Sequence, residues 1–566
     1  MANLQTVARR RYRRGGSVES EGHKQLGTKI DRRAFLGHRS LAASLLSGAT
    51  FSRMSAAPTA DSTGPVAQTN SGKIRGAVQG KTVAFKGVPY GASTEGAGRF
   101  MPPAKVQPWP GVRDALELGP ASPQIPSNLI PESMAQQPKD DANGSEDCLH
   151  LNVWTPNVGR GKRPVMVWFH SGGYSAASAN WAMYNGGNLA AKHDVVVVTV
   201  NNRLNVFGYL YLAELGGEKY GHSSNVGMLD TIAALQWVRD NIANFGGDPG
   251  NVTIFAQSGG GGKVSTLMGM PDAKGLFHRV IAMSGSAVRS TLAGQATKNA
   301  EEFLGKLGLR ANQVDQLRKL PVAQLLEAMR SMPRFRLGPV VDGRTLPAHV
   351  FDPTASEISA NVPLMIGSTE TEVTWSNAVK FDPLDDAALH NRIRDNMKID
   401  DATAGRLIAV YRKGRPQASN LDLFFIMSTD VSNFRTGTDT EGERKALLAK
   451  APVYKYYFQW YSAVREGKLR SYHTLDIPFV FENIDVAQSM VGNGPERQPL
   501  ADKMSAAWVE FARSGNPNHK GIPNWAPFDT QQRATMIFNN ECKAVNDPYR
   551  DERLARANLK APEATA

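Results

Sequence analysis

Residues 251–270 read NVTIFAQSGGGGKVSTLMGM, and the rest of the chain takes its meaning from them. Residues 251–255 carry Val252, Ile254 and Phe255 in a β-prone apolar run, the mark of a short buried strand. Residues 259–270 read as a helix. Ser258 stands at the junction, with Ala256 two residues before it and Gly260 two residues after. A serine on so sharp a strand-to-helix turn has its hydroxyl lifted above the sheet edge. Its neighbours must be small because the turn crowds them, which is the logic of the G-x-S-x-G nucleophile elbow. Ala256 stands where the first glycine would be, and a serine among glycines is also what an ordinary loop looks like. The remaining chain has to supply partners for it.

Working outward, residues 164–169 (PVMVWF) form an apolar strand, and residues 194–200 form a valine-rich one suited to cover on both faces. Residues 225–244 have Leu229, Ile232, Ala233 and Trp237 at helical spacing, an amphipathic helix that Gly246-Gly247 stops. Strands at 280–283, 362–366 and 454–458 alternate with helical segments. That alternation predicts a mostly parallel, doubly wound α/β sheet, with active residues at the carboxyl ends of its strands. Upstream, residues 69–124 read as short strands and proline-rich turns. In residues 149–154, Leu149, Leu151 and Val153 alternate with His150, Asn152 and Trp154, which predicts a half-buried strand.

The 566 residues, 41% of them hydrophobic, hold ample material for a large core. Length alone suggests about four domains, but α/β enzymes often run longer as one unit. We read a basic leader over residues 1–60 and one domain over 61–566. There is no internal repeat, no heptad run and no apolar stretch long enough to span a bilayer. The net charge of +13 is concentrated in the leader, where eleven Lys and Arg face three acids. That is +8 for the leader and +5 for the remaining 506 residues, so nothing in the body calls for a polyanion partner. Arg32-Arg33 ahead of Phe35-Leu36, a weakly apolar run and small residues at Ser55, Ala56 and Ala57 resemble a twin-arginine export signal. His38 and Arg39 interrupt that run, and a basic arm on a cytoplasmic protein is the alternative. Export implies a mature start near residues 58–62 and a bacterial periplasmic or extracellular protein. With only Cys148 and Cys542, no disulfide framework is expected.

Residues 145–156, SEDCLHLNVWTP, together with the elbow at Ser258, resemble the two signature segments of the type-B carboxylesterase family. This is the cholinesterase-like and para-nitrobenzyl-esterase-like branch of the α/β-hydrolases. The likeness continues through FKGVPYG (85–91), NVGMLDTIAALQWVRDNIANFGGDP (225–249) and WVEFARSGNPN (508–518), covering about residues 68–550. It implies an α/β-hydrolase fold with long loop insertions and a serine esterase.

A serine hydroxyl is a weak nucleophile at neutral pH, so it needs a base, a group to orient that base and donors for the oxyanion. The resemblance assigns the base to His473 in SYHTLDIPFVF (471–481), whose IPFVF reads as strand. The acid is expected between serine and histidine in the chain. The strand at 362–366 ends in GSTETE (367–372), and the resemblance puts the acid five residues after that glycine, at Glu372. Val373 replaces the glycine usual after it, and Glu370 is the rival, otherwise read as a solvated loop charge. After the 164–169 strand comes His170-Ser171-Gly172-Gly173, resembling the family's HGGG turn. The N–H groups of Gly172, Gly173 and Gly259 would hold the oxyanion. Ser171 departs from the family's glycine and puts the local backbone in question. His150, His222, His278 and His519 match no role. Ser258 would attack an ester carbonyl with His473 as base, and water would then release the acyl-enzyme. No metal or organic cofactor is required.

The resemblance also makes Glu146 an ion-pair partner of Arg99 and suggests Arg203 with Asp248 as a second pair. Ser122-Pro123-Gln124 stands where relatives have CPQ, so Cys148 is expected to be a buried free thiol. The 122–146 loop lacks Trp, Tyr and Phe, which argues against a choline ester held by cation–π attraction. The expected partners are a small to medium uncharged ester and water, with neither nucleic acid nor a stable membrane anchor. An amidase or peptidase using the same triad, and a non-catalytic binding member of the fold, are the alternatives.

Overall fold

The computed structural model describes residues 64–557 and 559, apart from 127–128, 140, 142–143 and 333–334. The leader expected over residues 1–60 lies outside the described residues.

One eleven-stranded sheet organises the body. Its strands are β1 (Ala77–Gln79), β2 (Thr82–Pro89), β3 (His150–Thr155), β4 (Gly159–Phe169), β5 (Val196–Val200), β6 (Phe245–Gln257), β7 (Arg279–Met283), β8 (Leu364–Thr369), β9 (Val453–Phe458), β10 (Ala534–Phe538) and β11 (Lys543–Asn546). The spatial order is β11-β10-β9-β8-β7-β6-β4-β5-β3-β2-β1. The run from β10 to β5 is parallel throughout, while the outer pairs β11-β10, β5-β3, β3-β2 and β2-β1 are antiparallel. This is the mostly parallel, doubly wound sheet that the alternation of strands and helices predicts, in keeping with the α/β-hydrolase fold that the resemblance implies.

The central strands are apolar on both faces because two cores need them. Val165, Val167 and Phe169 of β4, with Ile254 and Ala256 of β6, point into one core. Met166, Trp168 and Phe255 point into the other, beside Trp508 of a long helix, Arg497–Ser514. Period-two alternation therefore survives inside a run that looks uniformly hydrophobic. The same doubled cover corrects the half-buried reading of residues 149–154. Every residue of β3 after His150 is buried. Asn152 is accommodated because its Oδ1 accepts from Gly87 N at 2.9 Å and its Nδ2 donates to Thr199 Oγ1 at 3.0 Å.

The helix α1 (Val226–Asn241) is buried around most of its circumference, not along one stripe. Met228, Ala234, Leu235 and Val238 are inside, whereas Leu229 and Ala233 of the expected apolar stripe are half-exposed. Asp230 on this helix takes the place expected for Asp248: Arg203 Nε and Nη2 bond its carboxylate at 2.9 and 2.6 Å, both side chains fully buried. Asp248 instead accepts from Gly250 N in a turn. The acid suggested for Arg203 by the resemblance is therefore the wrong one. The Arg99–Glu146 pair forms as expected, bidentate at 2.7 and 2.5 Å. Cys148 and Cys542 are free and buried.

Two further helices matter below: α2 (Gly259–Leu267), directly after β6, and α3 (Asn433–Leu447), between β8 and β9. A separate helical core fills the insertion at residues 386–430, around Leu389, Ile393, Leu407 and Leu423.

Candidate active site

β6 ends at Gln257 and α2 begins at Gly259, leaving Ser258 alone on the bend with φ 58° and ψ −126°. A non-glycine residue there is strained, and the surroundings hold it. Ser258 N donates to Met283 O of β7 at 2.8 Å, and its carbonyl accepts from Gly262 N at 3.0 Å, opening the helix. Crowding explains the small neighbours. A Cβ on Gly259 would strike the backbone of Gly173, and one on Gly260 would strike the carbonyl of Phe169. Ala256 fits because its methyl lies 3.0 Å from where Gly260 would carry a Cβ and carries none.

The other candidates come from neighbouring strand ends. Gly172 and Gly173 follow β4 with φ of 89° and 64°. Glu372 follows β8, and His473 lies on the loop after β9. His473 Nδ1 bonds Glu372 Oε2 at 2.5 Å, and Glu372 Oε1 accepts from Thr369 N at 2.7 Å. The carboxylate is fully buried and the imidazole nearly so. Ser258, His473, Gly172 and Gly173 line one cavity of about 570 Å³, a volume suited to a small-molecule ligand. Gly259 joins them through its packing on Gly173.

Glu370, the rival acid, points elsewhere. It is buried and not a solvated loop charge, because Arg415 bonds it at 2.7 Å and Gln459 and Tyr461 donate to it. Residues 477–480 form a short helix where strand was expected. Its carbonyl-to-amide bonds start from Asp476 and Ile477, and Pro478 sits in its first turn, where its missing N–H costs nothing. Asp476, near Glu372, is fully buried. Burial first, then the Glu372 charge, pushes its carboxyl up to about 7.

Ser171, which departs from glycine, is absorbed by a bond: its Oγ donates to Gln257 Oε1 at 2.7 Å. The Gln257 amide nitrogen in turn lies 3.2 Å from both ring nitrogens of His473. His170 is buried, and burial with the nearby Lys263 charge holds its imidazole well below its ordinary pKa, so it is neutral.

Sequence reasoning missed the cavity walls. Trp181, Tyr184, Trp375 and Phe434 line it, and the Phe434 ring lies 4.3 Å from the imidazole. No aromatic comes from the 122–146 loop, as its composition dictates, yet the cavity is aromatic because other loops supply the rings. Gln257 stands in the sequence as the polar residue before Ser258, with nothing local to tie it to His473.

The carboxylesterase family model matches residues 63–557. Para-nitrobenzyl esterase of Bacillus subtilis (strain 168) is 33% identical over 506 residues, covering 86% of this chain and 97% of that protein. Phenmedipham hydrolase of Pseudarthrobacter oxydans is 30% identical over 499 residues, covering 85% and 96%. Among solved structures, the Geobacillus stearothermophilus carboxylesterase EST55 superposes with a TM-score of 0.74 at 35% identity, covering 87% of this chain and 99% of that one. A Clostridium hathewayi esterase described as hydrolysing aliphatic aromatic polyesters gives 0.76 at 33% identity, covering 88% and 99%.

Proposed function

The chain belongs to the carboxylesterase family and is a serine carboxylesterase, and from that premise we propose that Ser258, His473 and Glu372 are its catalytic triad. Ser258 attacks the ester carbonyl while His473 Nε2 takes its proton. The imidazolium returns that proton to the leaving alcohol, and water repeats the cycle on the acyl-enzyme. Glu372 keeps the proton on Nδ1 and stabilises the imidazolium. The N–H groups of Gly172, Gly173 and Gly259 receive the oxyanion. Removal of one such donor typically costs about 3 kcal/mol of transition-state stabilisation.

The observation that carries this reading is the 2.5 Å bond between His473 Nδ1 and Glu372, with the imidazole and Ser258 lining the same cavity. We take the substrates to be small to medium uncharged esters. The aromatic rings around the cavity favour a flat acyl or alcohol group, in keeping with the aromatic esters named for two of the relatives. Export by the twin-arginine-like leader completes the proposal. No helix among the described residues is long and apolar enough to cross a membrane.

A chain-length series of p-nitrophenyl esters tests the site. Ser258→Ala should abolish hydrolysis, and Glu372→Gln should lower kcat by about 10⁴-fold, the scale seen when a triad acid becomes an amide. Glu370→Gln should leave the chemistry in place. Hydrolysis that survived Ser258→Ala, or a reversed ranking of the two glutamates, would reject the assignment.

A further inference from the structure

Lys263 lies on α2, five residues beyond Ser258, and is fully buried. Its Nζ donates to the carbonyl of His170 at 3.1 Å. That carbonyl belongs to the peptide leading into Ser171-Gly172-Gly173, the turn that lines the cavity. The same helix is pressed against this turn, since Gly260 packs under the carbonyls of Phe169 and His170.

Among the described residues, no carboxylate offsets the ammonium. α2 packs on β4, β6, β7 and α1, and through Ser265 on α3. Asp230 of α1 is already held bidentate by Arg203. Glu441 of α3 accepts from Ser265 Oγ at 2.7 Å. His170 is neutral, and Lys162, Arg163, Asp248 and Arg279 sit toward the opposite, amino ends of their strands. An unpaired buried cation is expensive, and here it stands directly behind the site where negative charge develops on the substrate.

We infer that Lys263, as its ammonium, is a positioning residue for ester hydrolysis. It fixes the peptide that enters the oxyanion turn and lends that turn positive potential during reaction. The inference depends on the esterase reading of Ser258. Burial brings the Lys263 amine down from 10.5 to about 7, so the charge is present on the acid side of that value and lost above it. Alkali removes the Lys263 charge.

The test is the pH profile of kcat and KM from pH 5.5 to 9.5 on a p-nitrophenyl ester, for wild type, Lys263→Met and Lys263→Arg, with thermal unfolding followed at each pH. Wild-type kcat should fall on the alkaline side with a midpoint near pH 7. Lys263→Met should lower kcat about tenfold with KM little changed, and its alkaline limb should vanish; the effect is smaller than loss of a direct oxyanion donor because it acts through the turn. Lys263→Arg stays charged, so it should also remove the limb while keeping more of the rate. The alkaline limb should not coincide with unfolding. Between pH 7 and 10.5 the unfolded chain binds the Lys263 proton more tightly than the folded one, so this residue's contribution to stability rises as the rate falls. A wild-type kcat flat from pH 6.5 to 9 overturns the inference without any variant, as does a folded Lys263→Met enzyme with the wild-type rate and limb. Hydrolysis that depends on Ser258 but lacks the limb sinks this inference alone, whereas hydrolysis independent of Ser258 sinks the reading of the site.

Discussion

Ser171 shows how one departure from a glycine motif is tolerated. Its hydroxyl supplies the partner that the buried Gln257 carbonyl oxygen needs, at 2.7 Å. Ser171→Gly restores the commoner residue type but orphans that acceptor, and a buried unsatisfied polar group costs roughly 1–3 kcal/mol. The expected outcome is a lower unfolding temperature together with a reduced kcat, because Gln257 also touches the His473 ring. Unfolding temperatures that match wild type would show the bond to be without consequence. At this scale the strand-to-helix pattern pointed to Ser258, and the family resemblance to His473, Gly172, Gly173 and Gly259. The resemblance preferred Glu372 to Glu370, and the structure shows the two side chains diverging, one to His473 and one to Arg415. Two glutamates separated by one residue on a loop carry no local signal of direction.

At the scale of elements, α2 and α3 are joined through buried polar groups. Glu441 of α3 accepts from Ser265 Oγ of α2 and, more weakly, from Ala287 N at 3.4 Å. Burial raises its carboxyl from 4.5 to about 8, the hydrogen bonds only partly opposing this. The folded state therefore binds a proton that the unfolded chain has released between those two values. Its stabilising effect is complete below pH 4.5 and is lost as pH rises through about 8. In Glu441→Gln that slope should disappear, measured as unfolding free energy against pH from 4.5 to 8.5 beside wild type. Equal slopes in both proteins would mean that Glu441 is ionised in the fold. The sequence showed α2 as a helix and gave no sign of Glu441, since the two elements lie about 175 residues apart in the chain. The stripe expected on α1 failed for a related reason: hydrophobic spacing reports one apolar face, and this helix is enclosed on several.

For the whole molecule, the division into a basic leader and a catalytic body remains a reading of composition. If export by the twin-arginine-like leader holds, protein recovered from outside the cytoplasm should begin near residue 60 by N-terminal sequencing. Recovery there with Met1 intact would count against cleavage. Within the body, the sequence by itself determined the parallel α/β sheet, the strand-to-helix bend at Ser258 and the glycine turn after β4. The bend and the turn depend on short-range patterns, apolar periodicity and small residues under steric crowding, and the sheet on the order of strand and helix segments along the chain. Only the tertiary structure decided that Asp230 and not Asp248 neutralises Arg203, that aromatic rings from distant loops wall the cavity, and that Lys263 lies buried against the His170 carbonyl. Those are facts about which side chains share a volume. Packing of segments hundreds of residues apart sets them, and no short-range pattern encodes that packing.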